Sequence, residues 1–175
     1  MKSLAQNLSL AANKPNLVLR SLCEADLQTL LHIESISYSH PWSQNNFLDS
    51  LSSHYLMQGL FDSSTCSPKS SMIGYFVAMK GVDELHLLNL TVAPDYHRRG
   101  YAKYLLSQLK ILSVQQELNW IWLEVRMRNQ AAIALYTSYG FIKSGVRKNY
   151  YPLGLKGSND REDALLMSYQ VTPCN

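Results

Sequence analysis

The sequence predicts an α/β (α+β) domain in which a mixed central sheet of about seven strands carries helices on both faces. Three observations lead there. Apolar periodicity alternates between strand-like and helix-like spacing in the order βααβββαβαββ. The 175 residues are 46% hydrophobic and 17% charged, enough apolar material for one packed core and too much for global disorder. No internal repeat or second linker interrupts the pattern. Residues 1–16 are polar and weakly patterned, and read as a mobile extension or partly ordered arm. Residues 17–175 read as a single domain.

Leu17-Val18-Leu19-Arg20 forms a short strand. Ser21 and Glu24 have the spacing of a capping box, and Leu27, Leu30 and Leu31 give the first helix its stripe. His40-Pro41 breaks it, because the residue before proline avoids the helical region. Ser43 caps a second helix to about Ser52, with Trp42 and Phe47 spaced as a hydrophobic staple. Trp42 is either a wall of a substrate cleft or a core anchor. Tyr55 to Phe61 and Ile73 to Ala78 pair as strands around a Ser/Thr/Pro-rich loop at residues 62–71, and Leu85 to Val92 is the next strand. Ala102, Leu105, Leu106, Leu109 and Leu112 stripe a third helix. Trp120 to Val125 is apolar on both faces until Glu124 and belongs inside the sheet. Asn129 caps a fourth helix, which stops at Gly140. Phe141 to Tyr151 is extended, Pro152, Gly154 and Gly157 fall in a loop, and Ala164 to Val171 is the last strand.

A net charge of +3 suits anionic ligands and is too weak to indicate nucleic acid. The apolar runs are shorter than a membrane span, and no leader pattern opens the chain. Three scattered cysteines with no CxxC or Cys/His cluster favour a reducing, cytoplasmic setting without disulfides or bound metal. Monomer or weak oligomer is the expected state.

The chemical signal is concentrated after Leu88. A strand ends at Pro94-Asp95, and Arg98, Arg99 and Gly100 lead into a helix bearing Tyr101, Ala102 and Lys103. A helix start offers unpaired N–H groups and partial positive charge to an anion. Neither a P-loop nor a dinucleotide fingerprint is present. With Val92-Ala93-Pro94 before it, His97-Arg98-Arg99-Gly100-Tyr101-Ala102 resembles the coenzyme-A loop of the GNAT N-acetyltransferases, with His97 where that motif usually has Gln or Arg.

Trp122-Leu123-Glu124-Val125-Arg126, Asn129 through Tyr136, Tyr139-Gly140-Phe141, Arg147 through Pro152 and Glu162-Asp163-Ala164 resemble the RimI-type ribosomal-protein-alanine N-acetyltransferases of that superfamily. The resemblance implies the GNAT fold, with a mostly antiparallel sheet. It also implies acetyl-CoA as co-substrate and a protein's N-terminal α-amine as acceptor, expected to be the N-terminal alanine of ribosomal protein S18. By the same resemblance Glu124 is the general base and Tyr136 the general acid. Leu90-Thr91-Val92 pairs through its backbone with the pantetheine arm, Asn129 lies near the coenzyme, and Tyr150 and Tyr151 hold the peptide.

The residues themselves are compatible with those roles. A free α-amino group titrates at about 7.7–8.0 and must lose a proton before attack, so a base is useful. Asn129 and Tyr136 are seven residues apart, near two helical turns, and share a face. Alternatives stay open at this point. Glu124 could pair with Arg126 or Arg128, and Tyr136, Tyr150 and Tyr151 could be packing residues. The acceptor could be a small-molecule amine or a lysine, and the chain could be a non-catalytic acetyl-CoA-binding module.

Overall fold

A computed structural model describes residues 16–64, 72–153 and 160–171. The extension expected at residues 1–16 falls outside them except for Asn16, and so does most of the 62–71 loop. The elements are β1 (Leu17–Ser21), α1 (Leu27–Ser37), α2 (Gln44–Ser52), β2 (Leu56–Asp62), β3 (Met72–Lys80), β4 (Glu84–Val92), α3 (Tyr101–Gln115), β5 (Trp120–Arg126), α4 (Gln130–Tyr139), β6 (Ile142–Pro152) and β7 (Arg161–Gln170). Short 3-10 turns at Glu24–Asp26 and Pro94–Tyr96 precede α1 and α3. The strands form one seven-stranded sheet in the order β1-β2-β3-β4-β5-β7-β6, antiparallel except where β4 runs parallel to β5.

Strand alternation splits the core into two layers. Ile73, Phe76 and Ala78 of β3, with Ile121, Leu123 and Val125 of β5, pack on Leu105, Leu106 and Leu109 of α3 and Tyr136 of α4. Met72, Tyr75 and Val77 face the other way, against Leu27, Leu30 and Ile33 of α1 and Phe47 of α2. Each fully buried side chain of this size contributes about 1.5–3 kcal/mol. The staple at the second helix forms as the spacing predicts. Trp42 and Phe47 have ring centroids 5.4 Å apart, and Ser43 Oγ accepts the Asn46 N–H at 3.3 Å.

Two expectations shift. The capping box is not at Ser21 and Glu24. Ser21 stays in β1, paired with Gln58, and the Cys23 N–H donates instead to Asp26 Oδ2 at 3.1 Å. Arg20 decides the register, since its guanidinium binds both Asp26 carboxylate oxygens at 2.7 and 2.8 Å. Pro152 closes β6 rather than lying in the loop, with its carbonyl accepting from Arg126 Nη1 at 3.0 Å.

One irregularity opens the molecule. Val77 pairs with Asn89 but Ala78 with Leu87, so Leu88 is an extra residue in β4. The parallel pairing of β4 with β5 stops at Leu87 opposite Leu123. A bulge bends its strand. Beyond Leu88, β4 therefore diverges from Glu124–Arg126 of β5, and a cleft lies between them.

Candidate active site

The cleft measures about 530 Å³, within the usual range for small-molecule sites. Leu88, Asn89 and Leu90 of β4 form one side. Glu124, Val125, Asn129, Ala132 and Tyr136 form the other, and Trp42 with Tyr151 closes an end. A second hollow of about 390 Å³ continues past Trp42, Glu124 and Tyr151 to Arg147, Tyr150, Trp122 and His86. Of the residues singled out from sequence, Trp42, Leu90, Glu124, Asn129, Tyr136, Tyr150 and Tyr151 thus border one continuous space.

Glu124 sits where β5 loses its neighbour. Strand alternation puts its side chain on the face shared with Trp122 and Arg126. Its side chain is 24% exposed, and Oε1 lies 3.1 Å from Arg147 Nη2. The alternative in which Glu124 pairs with Arg126 or Arg128 does not form. Those two residues go to Glu162: Arg126 Nη1 lies 3.4 Å from its Oε2, and the Arg128 N–H donates to Oε1 at 2.6 Å. Glu162 thereby fixes the turn from β5 into α4 and leaves Glu124 facing the cleft.

Two tyrosines lie against Glu124, and a third shares its wall of the cleft. A hydrogen bond to Glu124, then partial burial, pushes the Tyr150 phenol above its ordinary pKa. The Tyr151 hydroxyl donates to the Glu124 carbonyl at 3.1 Å, and burial pushes its pKa up. Tyr136, buried in α4, is raised chiefly by burial and so stays protonated well past neutral pH. Tyr136 makes no side-chain hydrogen bond among the described residues and lines the cleft. Asn129 serves as N-cap of α4, its Oδ1 accepting the Ala132 N–H at 3.1 Å, and borders the cleft as well.

The basic turn lies beyond β4. Arg98 and Gly100 both take left-handed backbone, with φ of 63° and 86°. Gly100 is the N-cap of α3, and a Cβ there would meet nothing within 4 Å, so the backbone itself is open to approach. Alternation of this kind at a helix start makes a concave group of N–H donors suited to phosphate. The Arg99 guanidinium lies over the Tyr96 ring at 5.6 Å, Tyr101 meets the same ring edge-on, and Ala102 and Lys103 follow in the first turn. His97 Nε2 bonds the Val92 carbonyl at 2.7 Å, tying the turn to the end of β4. The Thr91 side chain is buried, its hydroxyl bonded to Asn89 and Glu34 rather than exposed to a ligand.

Residues 27–141 match the Acetyltransferase (GNAT) family. The chain belongs to the GNAT acetyltransferase family. It is 35% identical over 152 residues to the [ribosomal protein bS18]-alanine N-acetyltransferase of Escherichia coli K12, covering 87% of this chain and 96% of that one. The Salmonella typhimurium counterpart is 33% identical over 86% and 95% of the two chains. Among solved structures, the E. coli ribosomal-protein-S18-alanine N-acetyltransferase superposes with a TM-score of 0.76 at 33% identity, covering 91% of this chain and 96% of that one. Arabidopsis thaliana NAA60 in complex with acetyl-CoA shares the fold, with a TM-score of 0.75 at 20% identity over 89% and 99% of the chains.

Sequence reasoning missed three residues of this acetyltransferase's cleft. In the sequence Arg147 is only one residue of a motif, because its contact with Glu124 depends on the irregular pairing of β6. Tyr38 lies just past α1, and its hydroxyl lies 3.2 Å from the Leu90 carbonyl and 3.0 Å from Thr91 Oγ1. Glu34 had a legible signal: it falls four residues after Leu30 and seven after Leu27, on the apolar stripe where a carboxylate is out of place.

Proposed function

We propose that this acetyltransferase transfers the acetyl group of acetyl-CoA to the N-terminal α-amine of a protein, with the N-terminal alanine of ribosomal protein S18 as its substrate. The observation that carries the reading is that Glu124 and the protonated Tyr136 share one wall of a cleft whose other wall is the free edge of β4. The likeness to enzymes named for that substrate supports its identity.

The backbone of Leu90, Thr91 and Val92 would pair with the pantetheine arm where β5 no longer pairs, a form of strand addition in which the Leu90 and Val92 carbonyls use the lone pair that Tyr38 and His97 leave. The amides around Gly100, with Arg98, Arg99 and Lys103, would hold the diphosphate. Asn129 lies on the same side as Tyr136. Acetyl-CoA, when bound, supplies an acetyl group already activated as a thioester.

Glu124 receives the proton of the incoming ammonium, directly or through a water, and Arg147 balances the carboxylate until then. Tyr136 donates toward the departing sulfur. The burial that raises the phenol also disfavours a bare thiolate beside it, so the proton moves as charge develops. Trp42, Tyr150 and Tyr151 enclose the first residues of the peptide.

Peptides beginning Ala-Arg-Tyr should be acetylated, while peptides with a blocked terminus and those offering only lysine should not. Acetyl-CoA should raise the melting temperature, because it binds the native state alone. Acetylation of the blocked peptide on lysine, or no thermal shift at millimolar acetyl-CoA, overturns the reading.

A further inference from the structure

Glu34 is a buried carboxylate for which the proposed chemistry has no use. It projects from α1 and is 1% exposed. No Lys, Arg or His forms an ion pair with it among the described residues. Burying an ionised group without a counter-charge is unfavourable unless hydrogen bonds replace its water.

Those hydrogen bonds come from three separate segments. The Trp42 backbone N–H donates to Oε2 at 2.7 Å. The Tyr75 hydroxyl, on β3, donates to Oε1, and Asn89 Nδ2, on β4, donates to Oε1 at 2.9 Å. Thr91 has a single hydroxyl proton to share between Asn89 Oδ1 at 2.8 Å and Glu34 Oε1 at 3.2 Å. An ionised carboxylate accepts only, and all of these partners can donate.

The location of the partners gives the arrangement its meaning. Trp42 stands at the junction of both hollows. Asn89 and Leu90 are on the β4 edge just past the bulge, and Tyr38 spans Leu90 and Thr91. We infer that Glu34 is a positioning residue: it clamps the α1–α2 connection carrying Trp42 onto β4 and so sets the width of the cleft for the acceptor. It touches no reacting atom and acts through Trp42. This rests on the peptide-acceptor reading above, but the clamp has its own readout.

The test compares Glu34→Gln with Tyr75→Phe. The amide in place of the carboxylate brings two unwanted donors to a nest of donors and weakens the hold on Trp42. Tyr75→Phe removes a neighbouring donor to the same carboxylate but leaves the Trp42 bond. Amide hydrogen exchange at Trp42 should quicken at least about tenfold in Glu34→Gln and stay near wild type in Tyr75→Phe. With Ala-Arg-Tyr peptide, Glu34→Gln should raise the peptide KM roughly tenfold while the acetyl-CoA KM stays within about twofold.

Both variants lose melting temperature, so stability alone does not reproduce this split. Equal exchange at Trp42 in the two variants, or peptide KM values that simply follow the melting temperatures, overturns the inference. If the wild-type enzyme leaves the peptide untouched, the acceptor reading fails, and hydrogen exchange decides the clamp by itself.

Discussion

Glu34 and Glu124 border the same cleft from opposite walls and are bonded in opposite ways. Glu34 is sealed and accepts from backbone, phenol and amide donors. Glu124 is partly open, with an ion pair to Arg147 and a phenol beside it. A buried carboxylate held by donors from three segments is committed to holding those segments together. One with capacity left, at the point where a strand loses its neighbour, can take a proton and give it up. The two side chains are the same type, and it is the surrounding donors that differ.

The sharpest break of this contrast is Glu124→Gln. It should lower kcat/KM on an Ala-initiated peptide about 10²–10³-fold, with the acetyl-CoA thermal shift retained. Wild-type turnover would remove Glu124 as the base and erase the distinction. Tyr136→Phe should slow kcat by roughly 10–100-fold. Because burial holds the Tyr136 proton, the wild-type rate should show no alkaline fall from this group up to about pH 10. A fall near pH 9 that vanishes in the variant would contradict that.

Arg99→Ala should raise the acetyl-CoA KM by roughly tenfold and leave kcat near wild type, since it removes binding common to ground and transition states. Steady-state kinetics at saturating peptide separates the two parameters.

Asp26 gives the smallest effect and sharpens the contrast from outside the cleft. The hydrogen bonds from Arg20 hold its carboxyl below the usual range. The folded value lies beneath the unfolded one, so the stabilisation is complete above the unfolded pKa of about 3.9 and disappears as pH falls through the folded value. Arg20 is nearly half exposed, so solvent screening reduces the contribution, and Asp26→Asn should cost about 1 kcal/mol at pH 7. Urea melts should show that cost vanishing toward pH 2 with no change in peptide KM.

Local patterns were readable where neighbours in sequence decide the outcome. The Trp42–Phe47 staple, the Ser43 and Asn129 caps, the Gly140 stop and the interior place of β5 all formed as their spacing predicts. Reading failed where a distant partner decides. Arg20 moved the capping box to Cys23 and Asp26, because a bidentate ion pair outweighs a Ser–Glu box whose serine is needed in β1. Arg147 reaches Glu124 only after β7 is laid between β5 and β6. The bulge at Leu88, which creates the cleft, has no local signature in an apolar run. Glu34 showed itself only as a polar residue on an apolar stripe, which marks a burial to be explained without saying what it bonds.

The irregular pairing of β6 has a consequence beyond the cleft. Residues 148–150 bulge opposite Asp163, with Asn149 at φ 50° and its N–H held by Asp163 Oδ1 at 3.0 Å. An earlier slip leaves Ser144 unpaired with β7. β6 is also the outer strand of the sheet, eleven residues long and exposed along nearly its whole length. A flat strand of that length would be a template for other chains. Two slips, with Lys143, Arg147 and Lys148 spaced along it, leave no straight row of donors and acceptors to copy. The distortion that brings Arg147 and the two tyrosines to Glu124 is also an irregularity of the kind that blunts an edge strand against pairing with another chain.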